Sequence, residues 1–260
     1  MPVVFTSKEF QMHLIKIKTG GPNGRKRIYF CGIRIYKSKK KKSPVIAPES
    51  VQVSQQPQKT VTTQEAPTPP KATIKDFGQN NQINIANPDN ANLRISVWGD
   101  NNIVEIKSKA GRFNTRIEIG SPNSRCNGAK VIVEDKVTIN GLYMLLMENN
   151  SSIHIGQDCT ISNDVLIWCT DTHYITDMDG NLINVGTSVE IGNHCWIGYG
   201  VRILKNTRIP NNCIVGMASV VTKKFDTENA VYAGNPAKLV KSNVQWGRMR
   251  PQEYMDKNSK

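Results

Sequence analysis

Residues 185–221, VGTSVEIGNHCWIGYGVRILKNTRIPNNCIVGMASVV, repeat a branched aliphatic residue at every sixth position. A helix would need apolar spacings of three and four residues, and a simple amphipathic strand would alternate without interruption. A six-residue unit instead suits one short strand and one turn, with two side chains of each unit pointing inward. The repeated positions are Val185, Ile191, Ile197, Ile203, Ile209, Val215 and Val221. This fixed short period predicts a solenoid, and in particular a parallel β-helix.

Three such units would form one triangular coil of about eighteen residues. Successive coils would stack at roughly 4.8 Å, the spacing of neighbouring strands. The register then places Ile197 beneath Val215 and Ile191 beneath Ile209. From Asp76 the spacings are less regular, so we expect larger coils before Ile155, Ile161 and Ile167 restore the period of six. The corners of these coils include the Asn-Asn pairs at 80–81, 101–102 and 149–150.

The cysteines form no C-x-x-C pair, which disfavours a zinc site or a disulfide framework. Cys159, Cys195 and Cys213 fall on inward positions of the repeat, with Cys195 beneath Cys213. We therefore expect reduced thiols that pack in the core of a cytoplasmic protein.

The positive charge is concentrated at the N-terminus. Residues 1–42 hold twelve Lys and Arg and one acid, which leaves only +2 of the net charge of +13 for the rest of the chain. Residues 13–18 and 28–36 favour extended structure, so this basic arm is expected to contain a small β-hairpin. It could attract an anionic membrane surface or remain an inert solvated arm. No recognition motif indicates binding to nucleic acid.

The rest of the chain is predicted to contain a linker, a β-helix domain and a tail. Residues 43–75 are rich in Pro, Gln and Thr and contain no aromatic residue, which predicts a disordered linker. Residues 76–241 form the predicted β-helix domain, and residues 242–260 a C-terminal tail. No apolar run is long enough for a transmembrane helix, and no secretory signal is evident. We expect a cytoplasmic protein, peripheral at the inner face of the membrane if the arm binds lipid.

A candidate catalytic group lies where the repeat is interrupted. Residues 168–184 contain no aliphatic residue in phase and are predicted to form a loop extruded from one coil. Loops on a rigid scaffold often carry binding and catalytic groups. His173 lies in this loop, whereas His154 is expected on an exposed strand face and His194 at an exposed corner.

Four segments carry a resemblance to a known family. They are TDTHYITD at 170–177, VEIGNHCWIG at 189–198, GMASVVTK at 216–223 and AGNPAK at 233–238. In this order they resemble the sugar and antibiotic O-acetyltransferases of the hexapeptide-repeat family. The resemblance implies a left-handed coil, an exception to the usual right-handed crossover. It also implies a homotrimer with active sites between neighbouring solenoids.

In the family that these motifs resemble, a loop histidine is the general base, and His173 occupies its place. A sugar hydroxyl becomes an effective nucleophile only when a base removes its proton, and Asp171 could hold the imidazole in the required tautomer. The resemblance therefore implies an acetyl-CoA-dependent O-acetyltransferase. Its expected acceptor is a hydroxyl of a bacterial surface polysaccharide or lipopolysaccharide sugar.

Acetyl-CoA would need a groove with close backbone approach and basic groups for its phosphates. The candidate residues are Trp196, Gly216, Ala218, Ser219, Lys223, Lys224 and Lys238. Trp196 is expected to point outward beneath Ile214 and to form a wall at the thiol end of the groove.

Three alternative functions remain open from the sequence. An N-acetyltransferase for a nucleotide-linked amino sugar would share the solenoid, although residues 1–75 contain no Gly-rich nucleotide-binding turn. A non-catalytic structural or binding solenoid would explain the repeat but leave the histidine loop without a role. A zinc carbonic anhydrase would need three converging histidines, which the spacing of His154, His173 and His194 disfavours. We therefore expect no metal.

Overall fold

The structure is a computed structural model that describes residues 15–19, 26–30, 33–37, 72–89, 92–186 and 188–259. The chain divides into two compact units, Met1–Gln64 and Glu65–Lys260. Within the described residues, no helix is long and apolar enough to cross a membrane.

The first unit contains a small antiparallel sheet. Its described strands are β1 (Ile15–Thr19), β2 (Lys26–Phe30) and β3 (Ile33–Lys37), in the order β1-β2-β3. The segment 28–36, predicted as one extended run, is divided between β2 and β3, so the antiparallel pair of β1 and β2 gains a third strand. Most of the predicted linker at 43–75 lies outside the described residues, but β4 already begins at Thr73.

The second unit consists mainly of short strands. In chain order its first strands are β4 (Thr73–Asp76), β5 (Gln82–Ile85), β6 (Asn92–Val97), β7 (Ile103–Ile106), β8 (Phe113–Ile119), β9 (Lys130–Val133), β10 (Thr138–Leu146), β11 (Ser152–Ile155) and β12 (Thr160–Ile161). They are followed by β13 (Val165–Cys169), β14 (Ser188–Ile191), β15 (Trp196–Ile197), β16 (Arg202–Leu204), β17 (Thr207–Ile209), β18 (Ile214–Val215), β19 (Val220–Val221), β20 (Val231–Gly234), β21 (Ala237–Lys241) and the helix α1 (Pro251–Asn258).

These strands stack into three sides, and from β11 to β19 the chain visits them in rotation. The first side contains the start of β10 and then β12, β15, β18 and β20. The second contains β4, β6, β8, the rest of β10, β13, β16 and β19. The third contains β5, β7, β9, β11, β14 and β17. All these pairings are parallel, as the hexapeptide period predicts.

The predicted register of the regular coils is confirmed. Ile197 pairs with Val215 on the first side, and Ile191 pairs with Ile209 on the third. Val189 pairs with Thr207, which is 18 residues further along the chain. Earlier coils are larger, as expected, with steps of 27 and 22 residues on the third side.

The corners contain residues that tolerate left-handed backbone geometry. Asn80, Asn101 and Asn150 have φ of 55°, 58° and 58°, which confirms the predicted Asn-Asn corners. Their neighbours form side-chain ladders between coils; for example, the Asn127 backbone N–H donates to Asn149 Oδ1 at 2.8 Å.

The inward positions form one continuous core. Ile191, Ile197 and Ile203 are completely buried, and burial of such a side chain stabilises the fold by about 1.5–3 kcal/mol. Cys159, Cys195 and Cys213 are buried as predicted, and two further cysteines, Cys126 and Cys169, join them. Burial raises the pKa of Cys169 to about 12, which keeps its thiol protonated and unreactive.

One predicted position of the ladder is wrong. Val185 has 65% of its surface exposed and precedes β14, which begins at Ser188. It belongs to the end of an extruded loop, where its carbonyl oxygen accepts a hydrogen bond from Asn206 Nδ2 at 3.1 Å. After the loop, the regular ladder therefore resumes with Val189 and Ile191 of β14.

Candidate active site

The interruption of the repeat is a loop between the second and third sides. β13 ends at Cys169 and β14 begins at Ser188, so the loop extends a few residues beyond the predicted interval 168–184. A bridge between Thr176 and Leu182 closes its outer part. The turn within it is held by Asp177 Oδ1, which accepts the backbone N–H groups of Asp179 and Asn181.

The backbone around His173 is held by one amide side chain, and the residue itself is exposed. Asn184 Nδ2 donates to the His173 carbonyl oxygen at 2.8 Å, and Asn184 Oδ1 accepts the Ile175 N–H at 2.8 Å. The loop therefore presents the imidazole to solvent on a braced segment of main chain.

Asp171 anchors the loop to the following coil. Its Oδ2 atom lies 2.9 Å from Lys205 Nζ and accepts a hydrogen bond from Asn184 Nδ2 at 2.9 Å. The hydrogen bond from Lys205 lowers the pKa of the Asp171 carboxyl below its ordinary value of 3.8. Among the described residues, no hydrogen bond joins this carboxylate to the His173 ring.

Trp196 lies on the outer face of the first side, as predicted. Its side chain is exposed, and Ile214 and Val231 follow it in register on the next coils. Beside this column the main chains of successive coils pack closely: a Cβ atom on Gly198 would lie 2.8 Å from the Met217 nitrogen. Only glycine fits there, and the result is a flat strip of backbone next to the indole.

Several expected cofactor-binding residues lie near this strip. Gly216 faces Ala233, whose partner across the β20–β21 hairpin is the exposed Lys238. Ala218 is exposed at a corner with a φ of 58°. The Ser219 side chain is buried, and its hydroxyl accepts the Gly234 N–H at 3.0 Å, so only its backbone can approach a ligand.

The remaining two candidates lie elsewhere. Lys223 and Lys224 are exposed, but Lys224 pairs with Arg208 of β17 on the third side. Within a single chain, the fold therefore separates these two lysines from Trp196 and Lys238.

The C-terminal segment forms a feature that the sequence did not predict. Trp246 stacks on His194 with ring centroids 4.4 Å apart, and its Nε1–H donates to the His194 carbonyl oxygen at 2.8 Å. Arg248 donates to Asp158 Oδ1 at 2.9 Å and to Thr138 Oγ1 at 3.0 Å. These contacts join residues 52 to 110 positions apart in the sequence. A tryptophan at position 246, in a segment otherwise rich in polar residues, is the signal in the sequence that could have indicated them.

This segment forms one wall of an open cavity of about 590 Å³ on the first side. Two indoles, of Trp196 and Trp246, form its aromatic part, with ring centroids 6.0 Å apart. The polar lining includes Arg112, Thr138, Asn140, Thr160, Arg248 and Arg250.

His194 is half-buried within this arrangement, so its prediction as an exposed corner residue is wrong. It does occupy a corner, with a φ of 52°, but its Nδ1 lies 2.7 Å from Asp158 Oδ2 and its Nε2 lies 3.2 Å from the Trp246 carbonyl oxygen. Burial alone would raise the pKa of Asp158, but hydrogen bonds from Arg248 and His194 outweigh burial and lower it.

Strand order separates the two parts of the candidate site within one chain. The loop with His173 leaves the corner between the second and third sides, whereas Trp196 and the cavity lie on the first side.

The known proteins that are similar to this chain include several named as polysialic acid O-acetyltransferases. No family model matches the chain. It is 35% identical over 189 residues to the polysialic acid O-acetyltransferase of Neisseria meningitidis, a match that covers 66% of this chain and 87% of that protein. It is 33% identical over 122 residues to the polysialic acid O-acetyltransferase of Escherichia coli O1:K1, but that match spans only 39% of the relative's length.

Two solved structures are similar to the fold. The crystal structure of the polysialic acid O-acetyltransferase OatWY superposes with a TM-score of 0.53 at 32% identity, covering 72% of this chain and 96% of the other. The polysialic acid-specific acetyltransferase NeuO gives a TM-score of 0.55 at 26% identity, covering 72% and 94%.

Proposed function

The chain belongs to the hexapeptide-repeat O-acetyltransferase family, and from this premise we propose that it transfers the acetyl group of acetyl-CoA to a hydroxyl of a bacterial surface polysaccharide. The observation that carries the proposal is the exposed His173 on a loop braced by Asn184 and Lys205. We also propose that the coils wind with a left hand, as the resemblance of the repeat implies.

His173 is the proposed general base. Its neutral imidazole takes the proton of the acceptor hydroxyl while the oxygen attacks the thioester carbonyl. When the tetrahedral intermediate collapses, the carbon–sulfur bond breaks, and the imidazolium returns the proton to the coenzyme A thiolate. The products are an acetyl ester and a free thiol, so atoms and charges balance. Backbone N–H groups at the coil corners are suited to stabilise the oxyanion.

The first side is suited to the pantetheine arm of acetyl-CoA. A flat strip of backbone at Gly198 and Gly216 allows close approach, and the Trp196 indole stands at its edge. Lys238 offers a positive charge for a phosphate group at the same end of the solenoid.

A second copy of the chain is needed to complete this site. One chain places His173 and Trp196 on different parts of the triangle, so a neighbouring solenoid must bring its loop to the first side. The loop is suited to such a contact because Tyr174, Ile175 and Met178 expose 81%, 51% and 101% of their surfaces. We therefore propose the homotrimer that the family resemblance implies, with Lys223 and Lys224 in reach of a neighbour's ligand.

An acidic polysaccharide is the acceptor that the cavity fits best. Polysialic acid, named as the substrate of the relatives, carries a carboxylate on every sugar. The cavity is lined by Arg112, Arg248 and Arg250, of which Arg248 also pairs with Asp158 and Arg250 with Glu253. Guanidinium groups bind carboxylates with two parallel hydrogen bonds, and the two indoles can pack on the apolar faces of sugar rings. The relatives are named O-acetyltransferases, which favours a hydroxyl acceptor over the amine of a nucleotide-linked sugar.

The test is an acceptor panel with acetyl-CoA, in which free thiol is measured. We expect thiol release with polysialic acid and little with neutral dextran or with a nucleotide-linked amino sugar. Mild alkali should remove the new acetyl group, since an ester is hydrolysed where an amide persists. Transfer confined to the amino sugar, giving an alkali-stable product, would overturn the proposal.

A further inference from the structure

The residue before His173 has an unfavourable backbone conformation. Thr172 has a φ of 59°, and among the described residues it is the only β-branched residue with a positive φ. Most of the other non-glycine residues with a positive φ are Asn or Asp, whose side chains tolerate left-handed backbone geometry. A β-branched residue with a positive φ is an outlier. Such outliers persist only where the surrounding structure holds them, and they cluster at functional sites.

A buried hydroxyl holds this conformation from one side. Thr170 is 2% exposed, and its Oγ1 accepts the Thr172 backbone N–H at 2.8 Å. The same Oγ1 lies 2.6 Å from Glu148 Oε1. Because the N–H can only donate and a carboxylate can only accept, the hydroxyl proton must point at Glu148. The direction of every hydrogen bond in this chain of three residues is fixed.

Among the described residues, the Glu148 side chain forms no hydrogen bond other than the one to Thr170. It lies in the turn after β10, one coil before the loop, and its second carboxylate oxygen, Oε2, is buried without a hydrogen-bond partner among the described atoms. Lys205, the lysine that holds the loop, forms its ion pair with Asp171. A partly unsatisfied buried carboxylate is costly, so its hydrogen bond to Thr170 is the contact that explains it.

We propose that Glu148 and Thr170 are positioning residues that hold Thr172 in its left-handed conformation and thereby aim the His173 imidazole at the acceptor hydroxyl. The other side of the His173 peptide is already fixed by Asn184, which donates to the His173 carbonyl oxygen. This inference rests on the proposed role of His173 as the base, and it names what sets the direction of that base.

Thr170→Val tests the inference most sharply, because it keeps the size of the side chain and removes both hydrogen bonds. We expect kcat with polysialic acid to fall about 10²-fold, the usual cost of a reacting group misplaced by an ångström, with the KM for acetyl-CoA and the melting temperature nearly unchanged. Thr170→Ser keeps the hydroxyl and should retain activity. Glu148→Gln keeps an oxygen acceptor for Thr170 and should also retain activity, whereas Glu148→Leu should behave as Thr170→Val.

The double variant Thr170→Val with Thr172→Gly separates positioning from direct contact with substrate. Glycine adopts a positive φ without strain, so the double variant should recover most of the lost rate. If Thr170 instead touched the substrate, no recovery would follow, and the inference would be wrong.

Hydrogen exchange of the Thr172 amide gives a readout that does not depend on activity. We expect faster exchange in Thr170→Val than in the wild type and Thr170→Ser. Unchanged exchange would overturn the inference whatever the rates are. Normal turnover of Thr170→Val alongside an inactive His173→Ala would also overturn it while leaving the proposed function intact. A wild-type enzyme inactive with every acceptor would count against the proposed function alone.

Discussion

Lys205 Nζ lies 2.9 Å from Asp171 Oδ2, so a residue of one coil fixes the loop that the preceding coil extrudes. Asn206, the next residue, donates to the Val185 carbonyl oxygen at the other end of the same loop. Lys205 and Asn206, between β16 and β17, therefore hold both ends of the loop that carries His173.

This ion pair predicts how the loop responds to pH. The pKa of the Asp171 carboxyl is lower in the folded protein than its ordinary value of 3.8. The ion pair therefore stabilises the folded loop fully above pH 3.8, and this stabilisation is lost as the pH falls through the pKa of the folded state. We expect constant protection of residues 170–186 from hydrogen exchange between about pH 5 and pH 8, with loss only under strongly acidic conditions. Lys205→Met should expose the loop across the whole range, whereas Lys205→Arg should protect it. Equal protection in Lys205→Met and wild type would contradict this anchoring role.

The oligomeric state gives a second prediction. Since His173 and Trp196 lie on different parts of one chain, the active protein should be a trimer by light scattering at micromolar concentration. Met178→Asp would place a charge on a loop residue that is wholly exposed in the single chain, and it should weaken assembly without lowering the stability of the monomer. Full turnover by a monomeric protein would rule out a site shared between copies.

Arg248 should govern binding of the acidic acceptor. Arg248→Ala removes a guanidinium group from the cavity and, with it, the contacts to Asp158 and Thr138. Hydrogen bonds to charged groups are worth about 1.5–3 kcal/mol, so the KM for polysialic acid should rise about tenfold or more, while the KM for acetyl-CoA stays constant. Arg248→Lys keeps the charge without the planar fork and should be intermediate. An unchanged acceptor KM in Arg248→Ala would exclude the cavity as the acceptor site.

The basic arm should act separately from catalysis. Residues 1–42 carry most of the net charge of +13, and each basic residue close to an anionic lipid surface is worth about 1 kcal/mol. Deletion of residues 1–42 should reduce sedimentation with vesicles that contain phosphatidylserine and leave acetyl transfer to a soluble acceptor unchanged. Salt should weaken vesicle binding of the full-length chain. Binding that survives both the deletion and high salt would refute a membrane role for the arm.

The parts of the fold that could be predicted are those set by local pattern. The six-residue period specified the pairing of Ile197 with Val215, and the lack of phase after Ile167 located the loop. Val185 lies in the loop, and its match to the period is a coincidence, because a loop residue can be aliphatic without facing the core.

The parts that could not be predicted depend on distant contacts. Nothing local in the sequence pairs Trp246 with His194, because the chain between them must first complete further coils before the tail can fold back. Similarly, Asp171 was expected to orient the imidazole because the two are close in sequence, whereas its hydrogen bonds go to Lys205 and Asn184.

The most direct test is the rate of acetyl transfer by His173→Ala with saturating acetyl-CoA and polysialic acid. His154→Ala is the matched control, since His154 is a half-buried strand residue on the third side, 3.6 Å from Glu134. His173 lies outside the core, so its removal should leave the melting temperature and coenzyme A binding nearly unchanged. We predict a loss of about 10²–10⁴-fold, the usual contribution of a general base, with a normal rate for His154→Ala. If His173→Ala keeps more than about a tenth of the wild-type rate, the loss is smaller than a general base usually contributes. His173 would then not be the base.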